Sequence, residues 1–219
     1  MIRPLVLFVL VVAAGCGGDQ GVPPAEELSD DTLPGVYGGA FPCDGCAAIE
    51  TTLWLRPDGR FFFEQRYPPR ESVEAMDVYS LGVWRTLPDE TAIELVGSGP
   101  RRIFERADRD TLSMRTESDL EFLLSRAAAK REFSAALRMS GTVRIRDDSF
   151  VFTECLTGIV VPVRKTADYR SFQHQYRSIA GRGSPTFVEL VGRFSWSHDG
   201  APLSLTIERF ITVRAEESC

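Results

Sequence analysis

Five cysteines carry most of the chemistry available to this 219-residue chain. Cys43 and Cys46, in Phe41-Pro42-Cys43-Asp44-Gly45-Cys46, form a CxxC. Three chemistries suit that spacing: a local structural disulfide, a redox pair, or a soft-metal site. Two thiolates this close can hold Cu(I) in near-linear two-coordination, because soft sulfur prefers a soft ion. A structural zinc site wants four ligands, and the two histidines, His174 and His198, lie far away in the second half of the chain. A thioredoxin-type couple sits at a helix start after a strand, whereas the surroundings here read as β-structure. Cys155 and Cys219 lie far apart, the second at the C-terminus. A disulfide between them would pin the tail to the second half of the chain, and an exposed one could be reduced and sensed.

The fifth cysteine, Cys16, points to a different chemistry. Arg3 supplies a positive charge, and residues 5–14 are an uninterrupted apolar run. That run is the length of a signal-peptide core and too short for a membrane-spanning helix. Ala13-Ala14-Gly15-Cys16 follows, small residues before a cysteine, as in the bacterial lipobox. Ala13 stands where leucine is commonest. The expectation is cleavage before Cys16 and acylation of its sulfur. Each buried methylene of such an anchor contributes about 0.8 kcal/mol. Lipidation removes Cys16 from the count and leaves four cysteines, an even number in a compartment that permits disulfides.

The elements that must position these residues read as β-rich. Residues 1–15 are the expected signal peptide. Residues 16–32 are the lipidated cysteine and a tether rich in Gly, Pro, Asp and Glu, too polar to bury a core. Fully extended, the tether reaches about 55 Å. Residues 33–126 show short alternating runs at 49–55, 61–67, 79–86, 92–96, 101–106, 111–114 and 120–125. Arg56-Pro57-Asp58-Gly59-Arg60 is a turn, with proline presetting φ and glycine accepting positive φ. Even spacing with little helix predicts an antiparallel meander closed into a small barrel. Residues 127–136 break the rhythm as a helical turn or linker.

Residues 137–219 read as a second domain. Strands are expected at 137–146, 150–154 and 159–163, with a turn at Asp147-Asp148-Ser149. Tyr169, Phe172, Tyr176 and Ile179 recur at spacings of three and four, on one face of a helix over 168–180. Asp168 can cap its start and Gly181 can end it. Long strands at 186–196 and 203–213 close the chain. Three strands, a helix and two strands is the order of an OB-type barrel.

Composition excludes several functions. A net charge of -6 argues against a nucleic-acid partner, which calls for a basic face. Two histidines, no Ser/His/Asp set and no glycine-rich phosphate loop leave nothing for catalysis, so no enzyme is expected. Asp30-Asp31 and Asp147-Asp148 read as solvated turns, and His198-Asp199-Gly200 as a hairpin turn. Trp54, Trp84 and Trp196 fall in strands and read as core.

Taken in order, these motifs resemble the NlpE-type lipoproteins. The resemblance rests on residues 33–51, with their Pro-Cys-x-x-Cys and Ile49-Glu50-Thr51. It continues through Phe152-Thr153-Glu154-Cys155-Leu156-Thr157-Gly158, Pro162-Val163, Asp168-Tyr169, Tyr176 and Ile207-Glu208-Arg209-Phe210. Where the family carries a basic residue after Thr-Gly, this chain has Ile159-Val160-Val161. The resemblance implies a lipocalin-like N-terminal barrel and a C-terminal OB-fold. It also implies an anchor at Cys16, a copper or redox pair at Cys43 and Cys46, and a disulfide between Cys155 and Cys219. The family is linked to copper homeostasis, adhesion and activation of the Cpx envelope-stress pathway. The expected protein is therefore a non-enzymatic lipoprotein of the bacterial envelope. Its partners are the membrane, through its lipid, and an envelope signalling protein. Gly17 after the anchor leans toward the outer membrane. Rival classes are a carrier of a small hydrophobic ligand inside the barrel and a structural or adhesive surface lipoprotein.

Overall fold

The structure is a computed structural model that describes residues 33–70, 73–88, 91–116, 120–127, 133, 135–179, 185–196, 202–215 and 217–219. The expected signal peptide, Cys16 and its tether, most of the 127–136 connection, Gly181 and the His198-Asp199-Gly200 turn lie outside these residues.

Eight antiparallel strands close into a barrel in plain meander order. They are β1 Gly35–Phe41, β2 Ile49–Leu55, β3 Arg60–Tyr67, β4 Met76–Thr86, β5 Ala92–Gly97, β6 Arg102–Arg106, β7 Thr111–Met114 and β8 Leu123–Arg126. The period of two sends Leu53, Leu55, Phe61, Phe63, Ile93, Leu95, Phe104, Leu112 and Leu124 into one core. β4 begins at Met76, ahead of residue 79, because its pairing with β3 runs on to Tyr67↔Met76. β1 meets β8 through Tyr37↔Arg126 and Gly38↔Ser125 to close the cylinder. Closure is tight at Gly39, where a Cβ would run into the Leu123 carbonyl oxygen. Tyr37 locks the seam. Its hydroxyl donates to the Leu33 carbonyl at 2.8 Å and accepts from Arg126 Nη2 at 2.6 Å. Burial pushes the Tyr37 phenol up from its ordinary pKa, partly opposed by the Arg126 charge.

The second unit has β9 Leu137–Arg146, β10 Ser149–Glu154, β11 Val160–Pro162, α1 Tyr169–Ile179, β12 Thr186–Trp196 and β13 Pro202–Arg214. Its sheet order is β11-β10-β9-β12-β13, and a parallel Val163↔Leu205 bridge brings the two edges together. This is the expected OB arrangement. Asp147 and Asp148 turn the β9–β10 hairpin with φ of 47° and 59°, a geometry aspartate tolerates. Gly141 admits no side chain, because a Cβ would collide with the Phe152 ring and the Thr153 carbonyl. Helix α1 buries Tyr169, Phe172 and Tyr176. Their rings pack around Phe150, with centroids 5.8, 4.9 and 4.9 Å away. Ile179, the fourth residue of the expected stripe, ends the helix and is 43% exposed. The Asp168 carbonyl accepts from the Phe172 amide, and its Oδ2 accepts from the Phe210 amide at 2.7 Å. Hydrogen bonds from Ser171 and then Phe210 hold the Asp168 carboxyl below the usual carboxylate range.

The two units share a core. β3 buries Phe61, Phe62 and Phe63 in succession. Phe61 and Phe63 face the barrel interior, whereas Phe62 and Leu81 join the hydrophobic cluster of the second domain. Phe62 lies 5.0 Å from Trp196 and 4.8 Å from Phe133, ring centre to ring centre. Trp196 also packs on Trp54 at 5.4 Å and donates its indole N–H to the Phe133 carbonyl at 2.6 Å. The Arg56 guanidinium lies 5.3 Å from both the Trp54 and the Trp196 ring. Phe133, in the stretch expected to be a linker, is thus a buried anchor between the barrels.

Candidate functional site

Antiparallel order decides which connections share an end of the barrel. The β1–β2, β3–β4, β5–β6 and β7–β8 connections lie at one rim, and the β2–β3 turn lies at the other. Cys43 and Cys46 sit in the β1–β2 connection, on the rim remote from the turn that meets the second domain. They are bonded to each other, with Cα atoms 5.3 Å apart. Gly45, at φ 71°, supplies the left-handed residue that brings the pair together. Both cysteines are half-buried, between exposed Asp44, Gly45 and Ala47.

A third residue, not foreseen from the spacing, completes this rim. Arg70 follows Pro68 and Pro69 in the β3–β4 connection. Its amide donates to the Val73 carbonyl at 2.9 Å, and the Val73 amide returns a bond at 3.1 Å. With its backbone held by these two bonds, Arg70 lays its guanidinium beside the disulfide. Arg70 Nη2 is 2.8 Å from Cys43 Sγ and 3.9 Å from Cys46 Sγ. At this end Arg66 pairs with Glu64 at 2.7 Å and with Glu50 at 3.9 Å.

The donor set bears on what the pair can hold. Among the described residues, no group of three or more His, Cys, Asp and Glu side chains gathers to hold a metal ion. His174 is exposed on α1, and Asp147-Asp148 is a hairpin turn. Two sulfurs alone are too few for structural zinc and enough for Cu(I), which accepts two thiolates. Copper would need the disulfide reduced first, since the thiolate is the ligand. The resulting two-thiolate ion would be anionic, and Arg70 would supply an opposing charge.

Cys155 and Cys219 are also bonded to each other, with Cα atoms 5.2 Å apart. Cys155 opens the turn after β10. Buried Glu154 organises that turn: its Oε2 accepts from the Thr157 amide and the Thr157 hydroxyl, both at 2.6 Å. Gly158 completes it at φ 65°. The Thr157 carbonyl then accepts from Arg60 Nε of the barrel at 2.8 Å. Arg60 belongs to the 56–60 turn, where Asp58 sits 3.3 Å from Arg56 and 2.9 Å from Arg60. The second disulfide therefore lies one short turn from the contact between the domains.

Trp84 sends its indole N–H to the Arg56 carbonyl at 2.9 Å. All three tryptophans are thus packing residues, two of them at the domain junction. The signal that marks the junction in the sequence is Phe61-Phe62-Phe63. Three consecutive large apolar residues on an antiparallel strand require both faces of the sheet to be covered.

The fold and the site define a class: two fused β-barrels, a closed meander and an OB barrel, each carrying one disulfide. Comparison with known proteins narrows the class. Residues 37–122 match the NlpE N-terminal domain, and residues 134–219 match the NlpE C-terminal OB domain. The chain belongs to the NlpE family of lipoproteins. It is 24% identical to Lipoprotein NlpE of Escherichia coli (strain K12) over 205 residues, 89% of this chain and 84% of that protein. Among solved structures it is similar to one described as the Cpx pathway activator NlpE from Escherichia coli. That match has 24% identity, 85% of this chain, 98% of the other and a TM-score of 0.36. It is similar as well to a lipoprotein from Shewanella oneidensis, at 23% identity over 44% of this chain and 90% of the other, with a TM-score of 0.36. Membership rests on the two domain matches, in order along the chain.

Proposed function

We propose that this protein is an envelope lipoprotein that senses copper or thiol–disulfide conditions through Cys43 and Cys46 and reports by protein–protein contact. Cys16 is its acylated anchor, and residues 17–32 tether the two barrels to the membrane. The solved Escherichia coli relative is described as a Cpx pathway activator, which supports a signalling partner in the envelope. The single observation that carries the reading is the rim position of the half-buried Cys43–Cys46 pair, with two sulfurs and one cation. A purely structural staple has no use for a guanidinium set on its sulfurs. The carrier reading is weaker. Phe61, Phe63, Phe104, Leu112 and Leu124 fill the barrel interior where a hydrophobic ligand would lie.

The test is an anaerobic Cu(I) competition titration of the reduced protein, beside Cys43→Ser/Cys46→Ser. One copper bound per chain and lost in the variant supports metal sensing. Binding that the variant leaves intact removes copper from this site and leaves the thiol–disulfide reading. Metabolic labelling with a palmitate analogue, abolished in Cys16→Ala, tests the anchor.

A further inference from the structure

We propose that Arg70 makes the Cys43–Cys46 disulfide selectively reducible by small thiols, with Cys46 as the sulfur attacked and Cys43 as the leaving group. The inference rests on the reading that this pair leaves the oxidised state in use, and it is independent of copper.

The argument starts from the two Arg70–sulfur distances, 2.8 Å to Cys43 and 3.9 Å to Cys46. Sulfur in a disulfide is a weak acceptor, so this contact contributes little to the oxidised form. A thiolate carries a full charge and pairs strongly with a guanidinium. Arg70 therefore favours the product of reduction over its reactant, and it favours one sulfur over the other. Arginine is always protonated, so the assistance is present at any physiological pH. Glu50 and Glu64 pair with Arg66. Asp77 accepts from the Tyr79 hydroxyl at 3.0 Å. Glu74 is exposed, and Asp44, beside Cys43 in the chain, acts against Arg70. Among the described residues, Arg70 is the cation that reaches the sulfurs.

The step balances as ordinary exchange. A thiolate of the glutathione class attacks Cys46 Sγ. A new sulfur–sulfur bond forms between the incoming thiol and Cys46 while the Cys43–Cys46 bond breaks. The bonding pair leaves on Cys43, as a thiolate held by Arg70. A second thiolate then attacks the incoming sulfur, releases the oxidised thiol dimer and frees Cys46. Two thiols are oxidised and one protein disulfide is reduced. Exchange is faster when the leaving thiol is the more stabilised anion, so attack at Cys46 is the favoured direction.

The test uses the full chain in detergent, without copper. Glutathione is added, samples are acid-quenched, and differential alkylation with peptide mass spectrometry follows each cysteine pair separately. Mixed disulfide should accumulate on Cys46. Arg70→Met should slow reduction of this pair about tenfold, and Arg70→Lys should restore part of the rate. The Cys155–Cys219 pair should reduce at the same rate in all three proteins, which controls for folding. Mixed disulfide on Cys43, or equal rates for wild type and Arg70→Met, would overturn the proposal. The wild-type mapping decides the point even if a variant fails to fold. A failed copper titration leaves this result untouched, and the reverse also holds.

Discussion

The two disulfides of this protein do opposite things to the chain around them. Cys43–Cys46 joins residues three apart in a rim connection, beside a cation and away from the domain junction. Cys155–Cys219 joins residues 64 apart and binds the C-terminal tail to a turn that hydrogen-bonds the other barrel. Among the described residues no guanidinium donates to its sulfurs. A disulfide's consequence follows from the loop it closes and the groups that touch it. The first closes a short loop and has a guanidinium on its sulfur. The second constrains much of a domain and touches the contact between domains.

The contrast can be broken first by stability. In the chain-entropy treatment, removing Cys155–Cys219 should cost about 4 kcal/mol, and removing Cys43–Cys46 about 1.5 kcal/mol. Urea denaturation of Cys155→Ala/Cys219→Ala and Cys43→Ala/Cys46→Ala measures both. Equal losses would mean that the long loop stays compact in the unfolded chain and would erase the distinction.

The next effect is smaller and tests the junction. Arg60→Ala removes the donor to the Thr157 carbonyl and should cost about 1–2 kcal/mol. Combined with loss of Cys155–Cys219, the two costs should not add, since both act on the 154–158 turn. Strict additivity in that cycle would show the terminal disulfide and the interface to be independent. Combined with loss of Cys43–Cys46, from the far rim, additivity is the expected result.

The smallest effect sharpens the comparison inside the second domain. The Asp168 carboxyl is held below the usual range by Ser171 and the Phe210 amide. A depressed folded pKa gives stability that is fully present above the unfolded value, about 3.9, and is lost as pH falls through the folded value. Asp168→Asn should cost about 0.5 kcal/mol near neutral pH, and nothing in acid, because asparagine caps as well as aspartate and only the charge is lost. Thermal unfolding from pH 6 down to pH 2 checks it. A constant gap between variant and wild type would separate the cap from its charge.

Much of this architecture was legible in residue order. Strands β2, β7, β9 and β12 stand at the expected residues, because alternation and punctuating turns are local properties. The same holds for α1, whose buried Tyr169, Phe172 and Tyr176 follow the helical period. The sites were less legible. The cysteines were visible as types and spacings, and the structure bonds Cys43 to Cys46 and Cys155 to Cys219. Arg70 was not visible, because nothing in Pro68-Pro69-Arg70 announces that a neighbouring connection will place it on sulfur. The burial of Phe133 was not visible either, because it depends on two barrels meeting.

Residue order sets which residues alternate, where the chain turns, and that Cys43, Cys46, Cys155 and Cys219 divide evenly between two β-rich halves. Those are consequences of backbone geometry and counting. What lies across from each face is set by the packing of the two barrels. The period of two puts Phe62 opposite Phe61, but it takes barrel closure and docking to give Phe62 its partners Trp196 and Phe133. The same closure sets the β1–β2 and β3–β4 connections side by side, and so places Arg70 over Cys43. Local order fixes direction, and contact between residues distant in the chain is fixed only when the whole surface is buried at once.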